Sequence, residues 1–137
     1  MDFSFSQEQE SIREAISKIC DRFDDHYWLE KDRHGGFPTE LHQALAKDGW
    51  LGICIPEQYG GSGLGITEAS IMMQTISESG AGMSGASAVH MNIFGLNPVV
   101  QFGTEEQKRR MLPPLISGAE RACFAVTEPN TGLNTTH

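Results

Sequence analysis

Arg121-Ala-Cys-Phe-Ala-Val-Thr-Glu-Pro-Asn-Thr-Gly-Leu-Asn-Thr-Thr-His137 is the stretch on which the reading of this chain turns. Its apolar run from Ala122 to Val126, bounded by charge at Arg121 and Glu128, reads as a β-strand buried on both faces. Everything before it patterns as helix, so this strand has no neighbour with which to pair its N–H and C=O groups. The expectation is a mainly α chain that forms the front part of something longer.

Working outward, the composition bounds what such a chain can be. Its 137 residues are 39% hydrophobic and 20% charged, enough to bury a core without a disulfide or metal staple. With 10 basic against 18 acidic residues and a net charge of -8, it is a poor fit to nucleic acid or anionic membranes. Cys20, Cys54 and Cys123 show no metal-ligand spacing and read as buried free thiols, so no metal site is expected. The first residues lack a secretion signal and no apolar run reaches membrane-spanning length, which predicts a cytoplasmic protein with no membrane insertion. Asn134-Thr135-Thr136 matches a glycosylation sequon, but without such a signal it carries no weight.

Along the chain, Ser6 and Gln9 form a capping box. Behind it Ile12, Ile16, Ile19, Cys20 and Phe23 share a helical face, and the helix is expected to continue through Trp28 to the Gly35-Gly36 stop. A second helix is predicted from Thr39 to Asp48. Gly60-Gly61-Ser62-Gly63 lacks the spacing of a phosphate-binding loop and reads as a structural turn. Thr67 is expected to cap a helix to Glu78. The helix from Ser84 to Phe94 has almost no polar face, which predicts enclosure on most sides, with His90 a core histidine. Its small residues fit either a pocket wall or close helix packing. Asn97-Pro98 opens a brief helical turn, Thr104 to Gln107 is a second capping box, and Pro113-Pro114 is expected to end or kink the last helix.

Phe124-Ala-Val-Thr-Glu-Pro-Asn-Thr-Gly132 strongly resembles the acyl-CoA dehydrogenase family, whose first β-strand ends in a Thr-Glu-Pro-x-x-Gly segment. Trp50-Leu-Gly52, Pro56-Glu57, Gly60-Gly61-x-Gly63, Gly103-Thr-Glu-Glu-Gln-Lys108 and Leu112-Pro113 to Gly118 resemble family landmarks in the same order. The resemblance implies residues 1–119 as an N-terminal helical domain and 120–137 as the first strand and loop of an incomplete middle β-domain. It also implies FAD as cofactor and an acyl-CoA thioester as substrate for α,β-desaturation. An electron-transfer flavoprotein or similar acceptor, and a homo-tetramer or dimer at full length, follow from the same resemblance.

Carried over by position, the resemblance implies that Phe124 and Val126 line the flavin ring. Thr127 offers its N–H and hydroxyl to the pyrimidine edge, and Gly132 and Leu133 lie at the close turn beyond it. It likewise sets the helix from Ser84 to Phe94 against the acyl chain, with Ala88, Val89, Asn92 and Leu133 as substrate-side residues. The family often has Gly-Ser-Asp where this chain has Gly132-Leu133-Asn134, so Leu133 supplies only a backbone N–H there. The family's catalytic glutamate comes from a C-terminal region absent here, so no catalytic base is assigned in this chain, Glu128 included. The 137 residues alone are expected to be inactive. The competing readings are a related acyl-CoA oxidase or flavin monooxygenase, and a non-catalytic helical interaction module.

Overall fold

The computed structural model describes residues 4–134 and Thr136. Seven α-helices follow one another among them: α1 (Gln7–Cys20), α2 (Asp25–His34), α3 (Thr39–Lys47), α4 (Ile66–Ile76), α5 (Gly82–Phe94), α6 (Asn97–Phe102) and α7 (Glu105–Ile116). Two 3-10 turns, Trp50–Gly52 and Glu57–Tyr59, lie between α3 and α4, and a π-turn at Ser77–Ala81 joins α4 to α5. No helix is long and apolar enough to cross a membrane among the described residues. The N-terminal residues 1–3 and the Thr135 of the sequon lie outside that description.

Ser6 Oγ accepts the Gln9 N–H at 3.2 Å and Gln9 Oε1 accepts the Ser6 N–H at 3.1 Å, so the first capping box forms as read. The helix it opens is shorter than expected. Asp24 accepts the Tyr27 N–H at 2.9 Å and starts a separate helix, α2, in place of one continuous helix to Gly35. The corner is locked by the Trp28 indole N–H, which donates to the Phe23 carbonyl at 3.1 Å. Turning the chain there carries Trp28 under α5, where its ring lies against the Cβ-less face of Gly85.

One apolar cluster joins α1, α3, α4 and α5 through Ile16, Leu41, Leu45, Met72, Ile76 and Val89. A second, built on Ile55, Tyr59, Leu112, Leu115 and Ile116, seats α7. Each such side chain taken from water contributes roughly 1.5 to 3 kcal/mol before chain entropy is counted. That anchoring explains why Pro113 and Pro114 do not end α7. They lie in its last turns, where the carbonyls left without donors are those of the exposed Arg109 and Arg110.

The glycine loop is a structural turn. The N–H groups of Ser62, Gly63 and Leu64 donate to the carbonyls of Gly52, Ile55 and Ile53 at 2.9 to 3.0 Å, which turns them away from any anion. At its far end Gly65, and not Thr67, is the cap of α4, its N–H held by Glu68 Oε2 at 3.1 Å.

Three further expectations change. Only Cys20 is buried; Cys54 is half-buried and Cys123 exposed. His90 is exposed rather than in the core. The interior histidine is instead His42, on the inner face of α3. Helix α5 is not enclosed, because it packs on α3 and α4 by one side while Met83, Ser87 and His90 face out.

Candidate functional site

After α7 the chain turns at Gly118, whose φ of +72° suits a residue without a Cβ, and runs across the junction of α5 and α6. Ala122 is half-buried there. Its Cβ lies 2.8 Å from where a side chain on Gly95 would begin, so that glycine is what lets the segment approach. The Phe124 ring then meets Phe94 edge-on, with centroids 5.4 Å apart and planes at 73°.

The strand expected at Ala122–Val126 does not form among the described residues, and burial on both faces is not seen. Phe124 is 50% exposed and Val126 40% exposed. The physical reason is the one the sequence raises: a strand exists by its ladder, and no second strand is described here to supply one. The only β pairing among the described residues is an isolated bridge between Glu128 and Thr131, around a turn in which the Thr131 N–H donates to the Glu128 carbonyl at 3.2 Å.

Of Phe124, Val126, Thr127, Gly132 and Leu133, only Phe124 makes an aromatic contact with the helices. Leu133 is fully exposed, and a Cβ on Gly132 would meet nothing within 4 Å. The backbone N–H of Thr127 makes no backbone hydrogen bond among the described residues, so it is an uncommitted donor beside two exposed apolar side chains.

The residues expected beside the substrate lie differently. Val89 and Asn92 are buried, and Asn92 Nδ2 donates to the Leu115 carbonyl at 3.2 Å, tying α5 to α7. Ala88, also largely buried, borders a shallow cleft of about 510 Å³ with Phe37, Pro38 and Met83. The open stripe of α5 is Met83, Ser87, His90 and Phe94, at spacings of four, three and four. It was missed because the apolar pattern of this helix shows no polar side from which to tell inward from outward. The period itself offered one signal: Gly85, Ala88, Val89 and Asn92 share a face, which leaves 83, 87, 90 and 94 opposite.

Two cavities flank that stripe. One, of about 260 Å³, lies between α4 and α5 near their π-turn, lined by Met73, Ser77, Met83, Ser87 and His90 among others. The other, of about 350 Å³, lies at the opposite end, lined by Cys54, Leu64, Ile66, Ile93, Phe94 and Asn97. The His90 ring stands 4.3 Å from the Phe94 ring, tilted by 47°. No group of three or more potential metal ligands occurs among the described residues.

Residues 6–119 match the family model described as acyl-CoA dehydrogenase, N-terminal domain. The acyl-CoA dehydrogenase FadE12 of Mycobacterium tuberculosis is 34% identical over 135 residues, covering 96% of this chain and 34% of its own. A chain in the structure of the electron transferring flavoprotein of Acidaminococcus fermentans superposes with a TM-score of 0.86 at 28% identity, over 98% of this chain and 35% of that one. The FAD complex of an acyl-CoA dehydrogenase from Bacillus anthracis gives 0.77 at 30% identity, over 96% of this chain and 23% of that one. The chain thus spans about a third of the length of the curated relative it matches. The helical fold, the identity shared with FadE12 and the match across residues 6–119 have one conclusion: this chain belongs to the acyl-CoA dehydrogenase family.

Proposed function

We propose that this chain is the N-terminal portion of an FAD-dependent acyl-CoA dehydrogenase, residues 1–119 being its helical domain and 120–137 the start of its middle β-domain. The reaction in this reading is α,β-desaturation of an acyl-CoA thioester. The observation that carries it is the packing of Phe124 on Phe94, which sets the exposed run from Phe124 to Thr127 at the mouth of the grooved face of α5. The FAD complex of the Bacillus anthracis relative supports the cofactor assignment.

FAD, when bound, accepts the two electrons that the substrate loses. The chain's own part is to hold and orient. Phe124 and Val126 cover one face of the ring system, and Thr127 directs its N–H and hydroxyl at the pyrimidine edge, where fixed donors stabilise negative charge. Gly132 permits a close turn beyond it, and Leu133 contributes its backbone N–H. Along α5 the open stripe walls the acyl chain, while Ala88, Val89 and Asn92 set that wall's position from behind. The proton at the substrate's α-carbon is taken by a carboxylate outside this chain. Electrons then pass to an electron-transfer flavoprotein or similar acceptor, a reading supported by the likeness to a chain in the Acidaminococcus fermentans structure. At full length the protein is a homo-tetramer or dimer in this reading.

The test is anaerobic addition of saturated acyl-CoA to the flavin-loaded polypeptide that carries this segment. Loss of the oxidised flavin's visible absorbance is expected; no loss with any chain length overturns the proposal. The 137 residues by themselves are expected to release FAD on gel filtration and show no turnover, because they supply only one face of the ring.

A further inference from the structure

Beyond Glu120 the chain is held to the helical body by side chains. The last backbone tie is the Glu120 N–H, which donates to the Pro114 carbonyl at 3.1 Å; among the described residues no backbone hydrogen bond joins residues 121–127 to the helices. What seats them is Arg121 on Phe37, Ala122 against Gly95 and Phe124 against Phe94. The Arg121 guanidinium lies 4.3 Å from the centre of the Phe37 ring, the shortest cation–π contact among the described residues and the one that joins distant parts of the chain. Among those residues it forms no ion pair with a carboxylate. Phe37 is a prepared platform for it. Its carbonyl accepts the Thr39 N–H at 2.8 Å and Lys31 Nζ at 3.4 Å, Pro38 beside it is buried, and its ring stands edge-on to His42 at 5.2 Å.

We propose that Arg121 is a positioning residue for the flavin: clasped on Phe37, it fixes the direction in which residues 122–127 leave the helical body, and so where Thr127 meets the cofactor. The inference rests on the function proposed above and deepens it. The physical argument is that two fixed points determine a line. Arg121 is pinned to the loop between α2 and α3, and Phe124 to α5. Three residues of extended chain separate them, about 10 Å, and Thr127 lies the same distance beyond Phe124. Without the first point the segment pivots on the edge-to-face contact of one half-exposed ring and the small contact at Ala122. The Thr127 N–H then samples many directions, and FAD must select the productive one at a cost in affinity.

The experiment titrates FAD into the flavin-free form of the full polypeptide that carries this segment, and follows the thermal midpoint of that form. Arg121→Ala is expected to raise the Kd for FAD by about threefold to tenfold, the range that loss of one such cation–π contact supplies. Because Arg121 is exposed, the thermal midpoint is expected to stay within about 2 °C of the unchanged protein's. Arg121→Lys keeps a cation over the ring and is expected to hold the Kd within about twofold. Phe37→Leu removes the platform and is expected to weaken FAD binding as Arg121→Ala does; adding Arg121→Ala to it should then weaken binding no further. A Kd that Arg121→Ala moves by less than about twofold overturns the inference. So does a full Arg121→Ala effect in the Phe37→Leu background, which would assign the loss to the charge of Arg121 and not to the clasp. A lowered midpoint with unchanged Kd also overturns it, leaving an ordinary stabilising contact. Failure of the unchanged polypeptide to bind FAD overturns instead the function on which it rests.

Discussion

His42 is the residue whose placement has the clearest energetic consequence. It is 3% exposed, its ring lies edge-on to Phe37 at 5.2 Å, and its Nε2 is buried without a hydrogen-bond partner among the described residues. Burial pushes its pKa below the usual histidine value; neighbouring Asn92 partly offsets this and the positive charge of Arg121 adds to it. The unfolded chain takes up a proton as pH falls through about 6.5, while the folded chain resists until lower pH. Stability is therefore whole above that range and declines below it. His42→Leu removes both the orphaned nitrogen and the linkage, so its urea midpoint should exceed that of the unchanged protein by a margin that widens from pH 7.5 to pH 5. A margin independent of pH would show that His42 does not titrate with folding. Sequence reasoning chose His90 as the interior histidine because His90 lies in the most apolar helix. Burial, however, follows from which side of α3 and α5 faces the core, and that is set by packing between helices.

At the scale of the element, two of the helix caps were legible from local chemistry, while those at Asp24 and Gly65 were not. The boxes at Ser6 and Thr104 form as read because donor and acceptor lie three apart on one chain. The break after α1 was not, although Asp24 is a good capping residue, because the apolar spacing runs on past it. Trp28 settles the matter by packing on Gly85, a partner more than fifty residues away. The glycine loop offers the sharpest test. A Cβ on Gly61 would overlap the Ile55 carbonyl, a backbone atom that cannot move aside without opening the turn that packs on Ile116. Gly61→Ala should cost at least about 3 kcal/mol, seen as a lowered midpoint in thermal circular dichroism. Gly132→Ala, which meets nothing within 4 Å, should change stability by less than about 0.5 kcal/mol.

On the scale of the whole molecule, the helical body is closed and the segment after it is open. Its core is built from α1, α3, α4, α5 and α7, whereas Phe124, Val126 and Leu133 remain exposed. Cys123 lies in that open segment, and Cys20 is sealed in the core with its thiol pKa raised by burial. A thiol reagent at neutral pH should label Cys123 first, the half-buried Cys54 more slowly, and Cys20 only on unfolding. In the flavin-loaded enzyme Cys123 should be protected by the strands that pair with its neighbours. Equal labelling of Cys123 in both forms would show that the segment stays uncovered.

By itself the sequence determined the helical class, both capping boxes, the helix-ending glycines and the family, because each depends on contacts within a few residues or on motifs in a given order. It also raised the difficulty of a strand with no partner. Tertiary structure alone decided which side of α5 is open, which histidine is buried and that residues 122–126 stay unpaired. Those outcomes depend on surfaces from distant parts of the chain meeting, and a helix with apolar residues all round, or a strand without its neighbour, holds no local information about what it will meet.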